Sequence, residues 1–380
     1  MQIQNILSQE LARQTNTLNL IASENFPSNA VLSLLSSRIQ SKYAEGAPNQ
    51  RYYQGCENAD KIELLCEQQI RKITKTNKEI TCQAHAGSGA NLAAYNAFLN
   101  PGDKILSMTL NAGGHLSHGS SVSMTSKIYN FQHFSNPKNL EQKLAQFRPK
   151  MLVLGSSAYP RDVNWEEARI LCDQYNVHLH GDVSHNVGLI LSDVNHNPFP
   201  FCDSVMFTTH KTFRGPRGAI LIGDGVKKSV FPGLQGGPFM SNIAGIAQAA
   251  IEADSAEFRD KNRRILRFSK EICAKFSTEE IYTGGTDMHY FVLKCAPDVE
   301  NELRAAGIIV NGQKIGAKNQ NGIRIGFPFI VHQGASDAQL EEIGEILYRV
   351  VRGEAGALFK SRIIAIMSDI TKKLEDAGEI

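Results

Sequence analysis

No apolar run in the 380-residue sequence approaches the roughly 18–20 residues that cross a bilayer, so a membrane-spanning helix is not expected. Charge of one sign is not in excess either. Forty Lys and Arg against 38 Asp and Glu leave a net +2, which provides no field for gathering nucleic acid or an anionic lipid surface. The seven cysteines (56, 66, 82, 172, 202, 273 and 295) are scattered, odd in number and nowhere spaced Cys-x-x-Cys. They suggest neither a disulfide framework nor a thiolate zinc site, and a reducing cytoplasm is the expected setting. The N-terminus, MQIQNILSQELARQ, lacks the basic region and apolar stretch of an export signal. Internal repeats, low-complexity tracts and long linkers are also missing. What is there is ordinary for a globular protein, 42% apolar and 21% charged, long enough for one large domain and a smaller one. A small-molecule substrate fits this balance better than nucleic acid or a membrane.

Short apolar runs at Lys104–Met108, Lys150–Leu154, Val177–His180, Ser204–Thr208 and Ala219–Ile222 read as strands. Amphipathic stretches such as Trp165–Tyr175 lie between them, a rhythm that predicts parallel strands with crossover helices. A long, mostly polar helical pattern over Ser241–Phe276 follows the Gly/Pro-rich Pro232–Pro238, and the strand-like His289–Lys294 opens a new arrangement. The expected division is a large domain with an N-terminal arm over residues 1–253 and a small α+β domain over 254–380. Ser336 with Gln339 three residues on announces a capped helix near the C-terminus, whose buried stripe would be Leu340, Ile343, Leu347 and Val350.

The strongest local signal is Thr208-Thr-His-Lys-Thr212, at the C-terminal end of an apolar strand, where ligands of open parallel sheets gather. A partly desolvated lysine there, beside His210, could attack an aldehyde to form a Schiff base. A solvated surface lysine is the competing reading. Upstream, His178, His180 and Asp182 alternate on one strand face, with Ser184 and His185 just beyond. A buried Asp182 needs a cationic partner, and the protonated ring nitrogen of pyridoxal phosphate is one. A turn or cap role for Asp182, or a metal cluster of His178, His180, Asp182 and His185, are the alternatives. Ala86-Gly-Ser-Gly-Ala-Asn91 precedes an apolar helical run to Leu99, where free backbone N–H groups and the helix dipole would face an anion; an ordinary helix start is the competing reading.

With these residues in place, the chain resembles the serine hydroxymethyltransferase family almost end to end. The resemblance is carried in family order by Leu20–Asn25, Lys42–Gly46, Arg51–Cys56, Gly113–Gly119, Asp182–His185, Thr208–Thr212, Gly215–Gly218, Gln235–Pro238 and Asn321–Gly326. It implies the aspartate-aminotransferase-like fold (pyridoxal-phosphate fold type I): a large α/β domain with a mostly parallel sheet, plus the smaller α+β C-terminal domain. It also implies an obligate homodimer with shared active sites, a tetramer being left open. Pyridoxal 5'-phosphate is the implied cofactor and tetrahydrofolate the co-substrate, in reversible interconversion of serine and glycine within one-carbon metabolism. By position, Lys211 resembles the aldimine lysine, Asp182 the pyridinium partner, His115 the imidazole stacked on the ring, and His185 the group near the phenolic oxygen. Arg324 resembles the substrate-carboxylate arginine, a role a planar bidentate fork suits. Ser23, Ser157, Thr208 and His210 resemble residues around cofactor and substrate, and Gly87 and Ser88 the phosphate loop. Tyr43, Tyr53, Gly236 and Gly237 resemble groups lent by the partner subunit, and Glu45 the acid that shuttles a proton at the serine hydroxyl. Tyr52, Leu110, Gly113, Gly114 and Leu116 resemble positions where the folate ring packs. No metal ligand set is implied.

Departures from the family pattern are local. The phosphate loop reads His85-Ala-Gly-Ser-Gly89 where His-Ser-Gly-Ser-Gln is expected, losing a hydroxyl and an amide near the phosphate. Ser184 stands for the small Ala beneath the ring, and His180-Gly181 replace apolar residues. After Val310-Asn311 the chain runs through Gly312-Gln-Lys-Ile315 to Arg324 by a shorter path, with Phe327 for Thr and His332-Gln-Gly334 for Arg-Arg-Gly. This alteration motivates one alternative activity, a folate-independent aldolase or transaldolase acting on β-hydroxy-α-amino acids.

Overall fold

The computed structural model describes residues 2–316 and 318–378. They form two compact units, residues 30–260 and residues 1–29 with 261–380. The expected division at 253/254 thus falls instead at 260/261, inside the helix Ala256–Cys273. The first 29 residues group with the C-terminal unit rather than with the sheet-bearing one, for a local reason. Leu18-Asn19 pairs in parallel with Ile308-Ile309, and Leu18 and Leu20 are fully buried in that unit's core.

Residues 30–260 carry a seven-stranded sheet: β1 (Ile80–Thr81), β2 (Lys104–Met108), β3 (Asn130–Phe134), β4 (Met151–Leu154), β5 (His178–Asp182), β6 (Ser204–Thr208) and β7 (Ala219–Ile222). The order is β1-β7-β6-β5-β4-β2-β3, parallel except that β7 runs against both its neighbours. The expected strands are present, that at 150 starting one residue later and that at 177 shifted to 178–182; the short β1 and the polar β3 carried no strong apolar signal. Helices cover both faces, as near-continuous apolar strands require. Glu57–Thr74 and Met240–Ala253 join one buried cluster, and Gly87–Phe98 lays Ala90, Ala93 and Ala94 on the other. The expected long helix over Ser241–Phe276 is two helices, Met240–Ala253 and Ala256–Cys273, parted at Asp254-Ser255.

The other unit is α+β. β8 (Tyr290–Lys294), β9 (Asn311–Ile315) and β10 (Gln320–Gly326) form an antiparallel sheet in the order β8-β10-β9. In the segment after Asn311, β9 pairs antiparallel with β10, the strand that bears Arg324. Ser336 accepts from the Gln339 N–H at 3.2 Å while Gln339 accepts from the Ser336 N–H at 2.7 Å, the expected capping box. Leu340, Ile343, Leu347 and Val350 are all buried, as the spacing predicts.

Candidate active site

The C-terminal ends of β2, β4, β5 and β6 gather most of the expected residues. Lys211 follows β6 and is buried, as is Asp182 at the end of β5. Both act electrostatically on each other and on His115, which follows β2, while Lys211 also acts on His210. The Thr212 hydroxyl donates to the His185 carbonyl at 2.8 Å and accepts from the Gly188 N–H at 3.0 Å, tying the loop after β6 to the loop after β5. The Ser157 N–H donates to the Gly113 carbonyl at 2.7 Å, joining the loops after β4 and β2. Gly113 has φ +113°, and a Cβ there would collide with the Tyr159 backbone; one on Gly114 would collide with the Met108 carbonyl. Glycine is therefore required at both by close backbone approach. Leu110 and Leu116 flank them, exposed.

The helix Gly87–Phe98 is aligned on this edge by a stripe at i, i+4 and i+8. A Cβ on Gly87 would lie 2.5 Å from Thr208 Cγ2, so the helix start touches the end of β6. Asn91 donates to Asp182 Oδ2 at 2.9 Å, and the Tyr95 hydroxyl donates to the Ser117 carbonyl at 3.2 Å. Ala86 precedes the helix without a side-chain cap, which leaves the first N–H groups of Gly87, Ser88 and Gly89 facing out of the helix start. Thr208 Oγ1 and His210 Nδ1 are buried with no protein partner. Unpaired helix N–H groups and two orphaned polar atoms beside a buried lysine are the donor set that a phosphate and its ring would satisfy. The residues fit pyridoxal phosphate.

Asp182 does two things at once. Its Oδ1 accepts from the Ser184 N–H at 3.1 Å, the turn role held open above, while Oδ2 accepts from Asn91 and from His118 Nε2 at 2.9 Å. Burial opposes its ionisation, yet His118, His115 and Lys211 together hold the carboxyl well below its usual range. His115 is held neutral, its pKa lowered to about 4 by burial. The Ser117 N–H donates to its Nδ1 at 3.2 Å, so the proton sits on Nε2. His118, Asn91 and Ser117 were not singled out from the sequence, although His118 lies in the Gly113–Gly119 motif and Asn91 three positions after Ser88. The proposed cluster of His178, His180, Asp182 and His185 is not formed: His178 and His180 bond to Ser204 instead. Donor atoms of His115, His118 and Asp182 do lie within 4.8 Å of one another, but His115 Nδ1 and Asp182 Oδ2 are already engaged.

A second group stands in the same unit. The Tyr53 hydroxyl donates to Glu45 at 3.3 Å, Tyr43 and Tyr53 rings lie 5.0 Å apart, and Gly236 and Gly237 abut Glu45 and Tyr43. Arg51 anchors this loop from below, bonded to Asp60 at 2.7 Å, Glu63 at 2.5 Å and the carbonyls of Ala44 and Gly46. Tyr43, Tyr52 and Tyr53 are exposed. Arg324 and Ser23 belong to the other unit. Arg324 is buried on β10, donating to Asn311 at 3.3 Å with its guanidinium 5.6 Å from the Tyr290 ring. Ser23 follows Ala22, against which Gly326 at the end of β10 packs.

A mostly parallel sheet with a buried strand-end lysine, an ionised aspartate on the adjacent strand and an uncapped glycine-rich helix start defines a pyridoxal-phosphate enzyme of fold type I. A family model for serine hydroxymethyltransferase matches residues 1–347. The chain is 38% identical to a serine hydroxymethyltransferase of Coprothermobacter proteolyticus, covering 97% of this chain and 94% of that protein. It is 35% identical to one of Methanosarcina barkeri, with 97% and 95% covered. The chain belongs to the serine hydroxymethyltransferase family. Membership makes it a pyridoxal-phosphate enzyme with tetrahydrofolate as co-substrate, and supports hydroxymethyl transfer over the folate-independent aldolase.

Proposed function

We propose that Lys211, Asp182 and His115 form the cofactor-holding core of a hydroxymethyltransferase that moves the serine side-chain carbon to tetrahydrofolate and leaves glycine. The observation that carries this reading is the meeting of a buried amine, an ionised carboxylate and a neutral imidazole at one sheet edge. Pyridoxal phosphate, when bound, supplies an electron sink for the bond broken in serine. Lys211 would hold its aldehyde carbon, and Asp182, kept ionised chiefly by His118 and hydrogen-bonded by Asn91, would keep its ring nitrogen protonated. His115, neutral with its proton on Nε2, would lie against the ring without opposing the ring's positive charge. His185, Ser157, Thr208 and His210 would bind around the cofactor, with Gly87 and Ser88 offering backbone donors to its phosphate.

Arg324 would pair with the substrate carboxylate as a charge-assisted fork, with Ser23 near the same group. Glu45, bonded by Tyr53, would hold and pass a proton at the serine hydroxyl. Tyr52, Leu110, Gly113, Gly114 and Leu116 would pack the folate ring. A homodimer in which Tyr43, Tyr53, Gly236 and Gly237 serve the partner subunit's site is supported by the exposed tyrosines and by Ile3, Ile6, Leu7 and Leu11. Those four line one exposed face of the N-terminal helix at helical spacing. No helix among the described residues is long and apolar enough to cross a membrane, and the seven free cysteines fit a cytoplasmic setting. The test is release of glycine from serine by the purified chain loaded with pyridoxal phosphate, measured with and without tetrahydrofolate. Serine cleavage that folate does not accelerate, or faster turnover of threonine-like substrates without folate, overturns the reading.

A further inference from the structure

Asp182 is the last acceptor in a buried chain of hydrogen bonds, of which the chemistry above uses only the link from Asn91. His178, His180 and Asp182 share one face of β5, and Ser204 on β6 stands in register with His180. His178 Nε2 lies 2.9 Å from Ser204 Oγ, and Ser204 Oγ lies 2.7 Å from His180 Nδ1. His180 Nε2 lies 3.0 Å from Asn91 Oδ1, and Asn91 Nδ2 lies 2.9 Å from Asp182 Oδ2. His180, Ser204 and Asn91 are entirely buried. Gly181, on the opposite face, leaves room for the Trp165 ring against the strand.

Every proton in this chain has one allowed position. An ionised carboxylate only accepts, so the Asn91 amide must present Nδ2 to Asp182 and Oδ1 to His180. His180 then carries its proton on Nε2 and leaves Nδ1 bare. Nδ1 accepts from the Ser204 hydroxyl, whose oxygen in turn accepts from His178 Nε2. We propose that His180 and Ser204 are positioning residues for the cofactor ring: they lock the Asn91 amide as a donor to Asp182, the partner assigned to the ring nitrogen. The inference rests on the pyridoxal-phosphate reading above. With His180 in place, turning the amide over would set acceptor against acceptor at Asp182 and donor against donor at His180. Without His180 the clash at Asp182 remains, together with the hold of Ser117 Oγ, which accepts from Asn91 Nδ2 at 2.9 Å, but the amide oxygen loses its only donor in this chain of bonds. Two apolar side chains would fill the same layer with no desolvation cost, so a polar chain aimed at the carboxylate has a use beyond packing.

The test combines the tautomer of His180 with cofactor affinity. Long-range nitrogen–proton correlation spectra of the full chain labelled with ¹⁵N-histidine, before pyridoxal phosphate is added, should show His180 protonated on Nε2 and bare on Nδ1. Ser204→Ala, which leaves the ring in place, should raise the dissociation constant of pyridoxal phosphate about fivefold, the worth of one buried neutral hydrogen bond. His180→Leu should raise it about tenfold, and His180→Gln, which keeps an N–H donor, should return it most of the way. A proton on Nδ1, or Ser204→Ala and His180→Leu both binding the cofactor as tightly as the parent, overturns the proposal. Should His180→Leu fail to fold, Ser204→Ala decides by the same titration. A parent chain that binds no pyridoxal phosphate would sink the functional reading instead, and the tautomer measurement would stand apart from it.

Discussion

Mild acid should destabilise the cofactor-free chain well above the pH at which its carboxylates are neutralised. Burial holds four imidazoles neutral: His180 is lowered to about 3, and His115, His178 and His210 to about 4, from an ordinary 6.5. Because the folded values lie below the unfolded one, the unfolded chain binds these protons first. The stability they contribute is complete above about pH 6.5 and is lost as pH falls through the window from there to about 4. At about pH 5, a group displaced from 6.5 to 4 or 3 has cost ~2 kcal/mol relative to neutral pH. His180 is wholly buried and keeps that figure; the other three retain some exposure and are discounted to ~1 kcal/mol each. The sum, ~5 kcal/mol, is comparable with the whole stability of many domains. Asp182 acts in the same direction but only below the ordinary carboxylate range, and burial of Glu67, which raises its pKa, opposes weakly near that range. Urea unfolding followed by circular dichroism at about pH 7.5, 6.5 and 5 measures the effect as a falling midpoint with uptake of protons on unfolding. A midpoint that stays level across that range would refute the claim that these imidazoles are neutral and buried.

Three further outcomes follow from contacts described above. Gly87→Ala places a methyl 2.5 Å from Thr208 Cγ2, so overpacking of about 1–3 kcal/mol should appear in thermal unfolding together with weaker pyridoxal-phosphate binding; unchanged binding would separate the helix start from the cofactor. Arg324→Ala removes a charged fork worth about 1.5–3 kcal/mol and should raise the Michaelis constant for serine roughly ten- to hundredfold, with cofactor affinity unchanged in a spectral titration. Arg51→Met leaves Asp60 and Glu63 without their cation and should cost about 3–5 kcal/mol in urea unfolding; a loss below about 1 kcal/mol would show that Arg51 does not hold the Glu45 loop.

The sheet was legible because parallel strands covered on both faces are uniformly apolar, and such runs stand out between turn residues. The strand Ser204–Thr208 and the helix Trp165–Tyr175 fall where their patterns placed them, the latter begun by the Asn164 side chain accepting from the Glu167 N–H at 3.2 Å. β1 and β3 were hidden for opposite reasons, one being two residues long and the other alternating polar groups at a sheet edge. The grouping of residues 1–29 with the C-terminal unit rests on a two-residue parallel pairing with positions almost 300 residues away, and no local period announces that.

The same contrast runs through the site. The places of Lys211 after one apolar strand and of Asp182 at the end of another could be read from alternation and strand ends. The partners gathered around Asp182 could not, because each comes from another element: His118 from the loop after β2 and Asn91 from a helix bond it directly, and Ser204 on the neighbouring strand reaches it only through His180 and Asn91. His180 marks where the boundary between the two kinds of residue lies. Its polarity inside an apolar strand was visible as a departure, and a histidine in such a place must find two partners or stay neutral with one nitrogen bare. Only the register that sets Ser204 beside it, and the helical stripe that brings Asn91 over it, turn that requirement into a direction. A polar residue at a core-facing strand position two before a strand-end acid is therefore informative even without a structure: it says that the acid has a second layer of partners, and that at least one must come from an adjacent strand or a covering helix.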